Sequence, residues 1–255
     1  EISLGLVGSE MCIETGSTYT GWVGFNCSTY QSWADFSAST YQDGATFMSS
    51  TYQSWADFSN STCQSEVYFS DSTYKGKADF CGSTYQNEVY FSYSTYQSEA
   101  DFSDSICQGK ADFSDSTYRG WADFRNSAYQ GRAGFTGSTY QSEVYFNDST
   151  YQWAHFSGST YRGWANFRNS AYQGRAGFTD SIYQNEVYFS GSTYEDKADF
   201  SGSIFCGDVY YGKDRYNSNF SRFTDCTPQF YNENSHQNTL FGLSLIHISE
   251  PTRPR

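Results

Sequence analysis

From Ser17 to about Lys213 the chain repeats one 11-residue pattern of small, polar and aromatic positions eighteen times. Ser holds place 1, usually Tyr place 3, usually Ala place 7 and Phe place 9. The Ser ladder runs Ser17, Ser28, Ser39, Ser50, Ser61 and on to Ser203, and the Phe ladder runs Phe25, Phe36, Phe47 and on to Phe200, with Tyr211 departing. In the unit from Ser28 to Ala38, side-chain alternation along extended backbone puts Ser28 and Tyr30 on one face, and likewise Ala34 and Phe36. Each unit therefore predicts two short strands, joined by corners at Gln31-Ser32-Trp33 and Ser37-Ala38, where Gly, Asn, Asp and Ser recur across units. A period of 11 also suits some helices, but Ser, Thr, Gly, Asp and aromatic residues throughout give poor helix propensity. Such strict phase predicts a stacked array in which each unit touches its neighbours.

Composition supports an array over a layered globule. Of 255 residues 37% are hydrophobic, but 24 Tyr and 22 Phe supply most of these while Leu and Ile are scarce. The net charge of −13 argues against direct nucleic-acid binding, which depends on Lys and Arg, and favours a basic partner. Seven Cys (Cys12, Cys27, Cys63, Cys81, Cys107, Cys206 and Cys226) form no CxxC pair and fall at scattered places, as single substitutions for Tyr or Ser would; they read as structural thiols, with no metal or other cofactor. No run of 18 apolar residues predicts a membrane span. His155 is solitary, so no nucleophile has a base and no enzyme is expected. The sequons at Asn26, Asn60, Asn147 and Asn219 are of the number that so Ser-rich a chain generates by chance.

Ala56-Asp57-Phe58-Ser59-Asn60 and Ala122-Asp123-Phe124-Arg125-Asn126 resemble the unit of the pentapeptide-repeat family, and Ser116-Thr117-Tyr118-Arg119-Gly120 resembles it more loosely. Each 11-residue unit looks like two pentads plus one inserted residue, the Trp, Glu, Lys or Arg at place 6. The resemblance covers residues 17–213. It implies an all-β, right-handed quadrilateral β-solenoid with two units per coil, hence nine coils and a rod roughly 43 Å long at about 4.8 Å per coil. Two departures stand out. The inserted residue predicts a wider corner or bulge, and a one-residue deletion between Ser149 and Gly158 fits a corner that absorbs length changes. Tyr replaces the family's Leu or Phe at alternate centres, so its hydroxyl must reach a corner and water or bond to the place-1 Ser column.

Stacking at 22 residues sets Asp35, Asp57, Asp79, Asp101 and Asp123 in one outward row, where mutual repulsion should raise some of their pKa values. The family resemblance implies one use for such an acidic row, mimicry of a DNA phosphate backbone; the plain alternative is consensus Asp facing water. Thr29, Thr51, Thr73, Thr95, Thr117 and Thr139 form a second row, which resembles the threonine rows of ice-binding proteins but lacks the second Thr of each pair. Outward Tyr68 and Tyr90, with Trp33 and Trp55 at corners, predict an apolar contact patch.

The expected organisation is an N-terminal segment over 1–16 serving as a cap, the repeat over 17–213, an aperiodic tail or cap over 214–242, and a terminal stretch over 243–255. Leu243 to Arg253 resembles a translated transposase adaptor of short-read library preparation. Without Leu243 to Arg255 the net charge is −14. The opening Glu1, with no Met, reads as a lost start or a fragment. The expected function is a non-enzymatic repeat scaffold or interaction rod with an acidic face, which binds a basic protein surface or associates laterally with itself. The alternatives are a Tyr/Ser-rich low-complexity chain that forms condensates or fibres, and a spurious frame of a tandem DNA repeat.

Overall fold

The computed structural model describes residues 15–213, 218–224, 226–232 and 237–242, with the backbone of the pairs 2–3, 7–8, 12–13 and 246–247. Among these residues there is no helix. One coil carries four two-residue strands, Thr18–Tyr19, Val23–Gly24, Thr29–Tyr30 and Ala34–Asp35. The next coil begins at Thr40–Tyr41, which lies parallel and in register on Thr18–Tyr19. Two sequence units thus make one turn of a four-sided β-solenoid of about nine coils. We call the sides faces one to four, in the order of those strands.

The side-chain period dictates what lies inside. Tyr at place 3 points in from faces one and three, and Ala or Val at place 7 from faces two and four; Phe at place 9 completes a continuous buried core from Val23 to Tyr211. In-register stacking places each ring on its equivalent one coil away. Phe58 and Phe80 lie 5.1 Å apart at 3°, Phe80 and Phe102 5.0 Å apart at 1°, and Tyr74 and Tyr96 4.9 Å apart at 1°. Adjacent columns meet edge to face, as Phe69 does Phe80 at 73°. Both geometries suit the aromatic quadrupole, and each pair contributes about 0.5–1.5 kcal/mol beyond the area it buries.

Polar groups of the wall are satisfied between coils. Phe58 N donates to Asp79 O at 2.7 Å and Thr51 N to Ser28 O at 2.8 Å. The place-1 hydroxyls add a second zip: Ser72 N donates to Ser94 Oγ at 3.2 Å, and Ser94 Oγ donates back to Phe69 O at 3.4 Å. This explains why a buried position keeps Ser through eighteen units.

The two kinds of corner differ. Place 11 takes positive φ in unit after unit, for instance 55° at Asn60, 59° at Asp71 and 65° at Gly82, a conformation that Gly, Asn and Asp adopt readily. The other corner, places 4 to 6, holds the inserted residue: five residues lie between Tyr30 and Phe36, but four between Phe36 and Tyr41. Where Ser149 to Gly158 lacks one residue, Thr150–His155 runs as one strand against Ala128–Gly134, with a bulge between Tyr129 and Arg132. Coil-to-coil register falls there from 22 to 21, as in Thr139 on Thr160, and recovers afterwards.

The place-1 Ser of each unit stands beside the phenol and favours its ionised form, but its hydroxyl is turned to backbone carbonyls. The hydroxyls of Tyr52, Tyr74, Tyr96, Tyr118 and Tyr140 are buried and make no hydrogen bond. Burial, reinforced by Tyr74, holds the Tyr96 phenol well above its ordinary pKa of 10, and Ser94 only partly offsets this, being engaged with backbone as described. Tyr151 differs: in the shortened unit its hydroxyl donates to Phe146 O at 3.3 Å.

The ends continue the ladders. Ile2–Ser3, Val7–Gly8 and Cys12–Ile13 pair with faces two, three and four of the next coil. At the other end Arg222–Phe223 and Leu240–Phe241 add to faces one and three, and Tyr231–Asn232 forms an antiparallel pair with Gln237–Asn238. Ile246–His247, within the adaptor-like stretch, pairs with Val209–Tyr210; the rest of 243–255, with 214–217 and most of 1–14, lies outside the described residues.

Candidate functional site

With the core filled by stacked rings and by Ala or Val, the carboxylates and most of the cations stand in the outer columns. The Asp row stands on face four, where Asp57 pairs with Asp35 and Asp79, and Asp101 with Asp123. It does not project freely into water. Asp35, Asp57, Asp79 and Asp123 are buried, the last only 1% exposed, because each carboxylate folds back on its own corner. Asp57 Oδ1 accepts from Ser59 N at 3.0 Å, Asp101 Oδ1 from Ser103 N at 3.0 Å and Asp35 Oδ1 from Ser37 N at 3.0 Å. Asn166, one of the non-Asp residues in this column, accepts from Arg168 N at 3.1 Å in the same way. The column therefore needs an acceptor oxygen, not a charge.

Cations cover part of the row. Lys77 Nζ lies 2.9 Å from Asp79 and 3.4 Å from Glu99, and Arg125 grips Asp123 through Nε at 2.9 Å. Among the described residues Asp57 and Asp101 have no such ion-pair partner, and their pKa values are raised, first by burial and then, against the Ser hydrogen bonds, by the neighbouring carboxylates. Cys81 sits between Asp79 and Asp101, their potential ligand atoms within 4.8 Å of one another. Burial and the two carboxylates push this thiol up to about 12, so it holds its proton, and Lys77 already occupies the Asp79 carboxylate. Buried Cys63 and Cys107 take Tyr positions on face one.

The expected aromatic patch is two separate pairs. Trp33 and Trp55 stack at 5.1 Å on the corner between faces three and four, with Lys77 5.9 Å over Trp55. Tyr68 and Tyr90 stack at 5.0 Å on face two, the opposite side of the coil. The correction follows from topology: an 11-residue step moves half a turn around the rod, so neighbours in sequence phase alternate sides. The Tyr68 hydroxyl donates to Glu66 at 2.6 Å, which raises its pKa to about 12; Tyr90 donates to Glu88, and Lys110 lies 4.9 Å over its ring. The threonine row stands on face three as a single column.

One arrangement went unread in the sequence. Place 6, taken every 22 residues, gives one edge between faces one and two: after Trp22 and Gly44 come Glu66, Glu88, Lys110, Arg132, Trp153, Arg175 and Lys197. Within it the acidic residues precede the basic ones. On the floor of face two beside it, Tyr68 and Tyr90 give way to Asp112, Gly134, His155 and Gly177. Loss of the large side chains leaves a depression of about 300 Å³ bordered by Lys110, Asp112, Arg132, Thr136 and His155. Burial, Arg132 and Arg175 together lower the His155 pKa. The signal was available in place 6, but only when split into alternate units.

No family model and no curated protein matches the chain.

Proposed function

We propose that this chain is a non-enzymatic scaffold rod of the pentapeptide-repeat kind that binds a basic protein surface along face four. The supporting observation is the way carboxylates border that face. Glu99, Glu143 and Glu186 recur on the edge it shares with face three, and Asp104 and Asp148 project, exposed, from the edge it shares with face one. Trp121 and Trp164 share the first edge and add flat, partly exposed rings, the combination that interface cores favour. The buried Asp35-to-Asp123 row supplies the turn beneath this surface, and the border residues supply its recognition.

A salt titration of binding to a lysine-rich model protein tests this. Binding should weaken steeply with ionic strength, and the triple variant Glu99→Gln, Glu143→Gln, Glu186→Gln should lose at least about tenfold in affinity. Equal binding by the variant, or none by the parent rod, overturns the reading.

A further inference from the structure

Face two is self-complementary when one rod is turned end for end against another. Seven successive coils matter, and their edge residues are Glu66, Glu88, Lys110, Arg132, Trp153, Arg175 and Lys197. A two-fold axis lying across the face at Gly134 keeps this edge against the same edge of the second copy and reverses its order. Glu88 then meets Arg175, Glu66 meets Lys197, and Lys110 meets Trp153, which is 53% exposed. On the floor Tyr90 comes over Gly177, where no side chain stands, and Asp112 faces His155. Along the far edge, at place 11, Tyr93 meets Asp180 and Asp115 meets Gly158. Tyr93 is the most exposed large side chain of this face at 63%. Arg132, which has no ion-pair partner within its own chain among the described residues, meets its own symmetry mate beside the Asp112 and Asp115 carboxylates of the same depression.

The register is specific. With the axis at Gly134 the edge makes two acid–base pairs in each half; moving it half a coil toward Glu1 sets Lys110 against Arg132 and Glu88 against Trp153, and moving it a full coil turns Glu66 onto Trp153, so that each shift leaves one pair. We infer that face two is the interface of an antiparallel, two-fold symmetric dimer of this chain, held by the Glu88–Arg175 pair made twice and by Tyr90 over Gly177. Closed isologous contact of this kind stops at two copies. Seven coils at about 4.8 Å and a face about 17 Å wide bury about 1,100 Å² in total, at the low end for a specific interface. An interface of this size suits a reversible dimer, and it uses the face opposite the acidic borders of face four.

Sedimentation equilibrium of the full chain between about 1 and 500 μM, at low salt, reads this directly. The parent chain should fit a monomer–dimer equilibrium. Glu88→Arg alone and Arg175→Glu alone should each weaken the dimer at least about tenfold, and the double variant, which restores both pairs with reversed sign, should recover most of it. Both side chains lie outside the core, and each variant should keep the β-spectrum of the parent by circular dichroism. Small-angle scattering of the parent dimer should show a doubled cross-section at little changed length. Monomer throughout, an end-to-end dimer of doubled length, single variants that dimerise like the parent, or a double variant no better than either single each overturn the inference. Binding of a basic protein by face four survives any of these outcomes.

Discussion

The interior and the edges of this rod follow different rules. Inside, Phe58, Phe80, Phe102 and Phe124 repeat one residue in one orientation at 4.9–5.1 Å, so a change in any coil is felt by the coils above and below. On the edge between faces one and two the equivalent positions pass from Glu88 through Lys110 and Arg132 to Trp153 without disturbing the core beneath. Coil stacking constrains what points inward and leaves what points outward free to vary. Identity of the rod as a shape is thus separated from whatever it recognises.

The largest break in this contrast is a cavity. Phe102→Ala removes one ring from a stacked and edge-on cluster and should cost about 3–5 kcal/mol in urea unfolding. A corner can be nearly as strict as the core. A Cβ at Gly109 meets the backbone of Asn87 at 2.5 Å, so Gly109→Ala should cost about 1–3 kcal/mol, while Gly21→Ala, with nothing within 4 Å, should stay within about 0.5 kcal/mol. Equal effects at the two glycines would show that coils are not packed corner on corner.

The tyrosines sharpen the comparison from within. No hydrogen bond of full geometry reaches the buried Tyr96 hydroxyl, beside which Ser94 is already engaged with backbone, so Tyr96→Phe should be neutral or stabilise by up to about 1 kcal/mol; Tyr151→Phe should destabilise by about 1 kcal/mol, because it deletes the bond to Phe146 O. If Tyr96→Phe costs as much as Tyr151→Phe, the phenols are satisfied in a way the packing does not show.

Smaller effects come from the carboxylates. The raised pKa values of Asp57 and Asp101 mean that the folded rod holds their protons more tightly than the unfolded chain does. Their contribution is full below the ordinary value of 3.8 and is lost as pH rises through the folded pKa. Asp112 and Asp199 are lowered: despite burial, the Ser114 and Ser201 hydrogen bonds and Lys110 and Lys197 favour the charged form, so their contribution is present above 3.8 and lost as pH falls through the folded pKa. Asp57→Asn keeps the acceptor, as Asn166 does, and should stabilise slightly at pH 7; Asp112→Asn should destabilise slightly, each by under about 1 kcal/mol in paired melts at pH 7 and pH 4.

Much of the fold was legible because a period is itself a geometric statement. The 11-residue phase located both strands of each unit and the corner that absorbs the deletion near Trp153, and the resemblance to pentapeptide repeats supplied the half-coil step and hence the Asp row. The sequence did not show that Ser94 spends its hydroxyl on Phe69 O, 25 residues back, since that bond depends on how far adjacent coils are offset. Nor did it show that Asp57 caps its own corner, because an Asp facing water and an Asp bonded to the amide two residues on have the same letter and spacing. Trp33 and Tyr68 were grouped as one patch because both read as outward, and only the four-sided coil separates them. The reversal of charge along the Glu66-to-Lys197 edge was hidden by averaging place 6 over both sides of the rod.

The repeats form a rod with most of its tyrosines sealed inside. A spectrophotometric alkaline titration tests it most directly, since the chain has 24 tyrosines and burial holds phenols such as Tyr118, Tyr140 and Tyr183 well above 10. A raised folded-state pKa stabilises the rod below pH 10 and loses that stabilisation as the pH climbs past it. A minority of phenols should ionise near pH 10 with the β-spectrum intact, and the rest should ionise together as the rod unfolds at higher pH. Ionisation of most phenols near pH 10, with no coupled loss of structure, would contradict it and leave a low-complexity chain in its place.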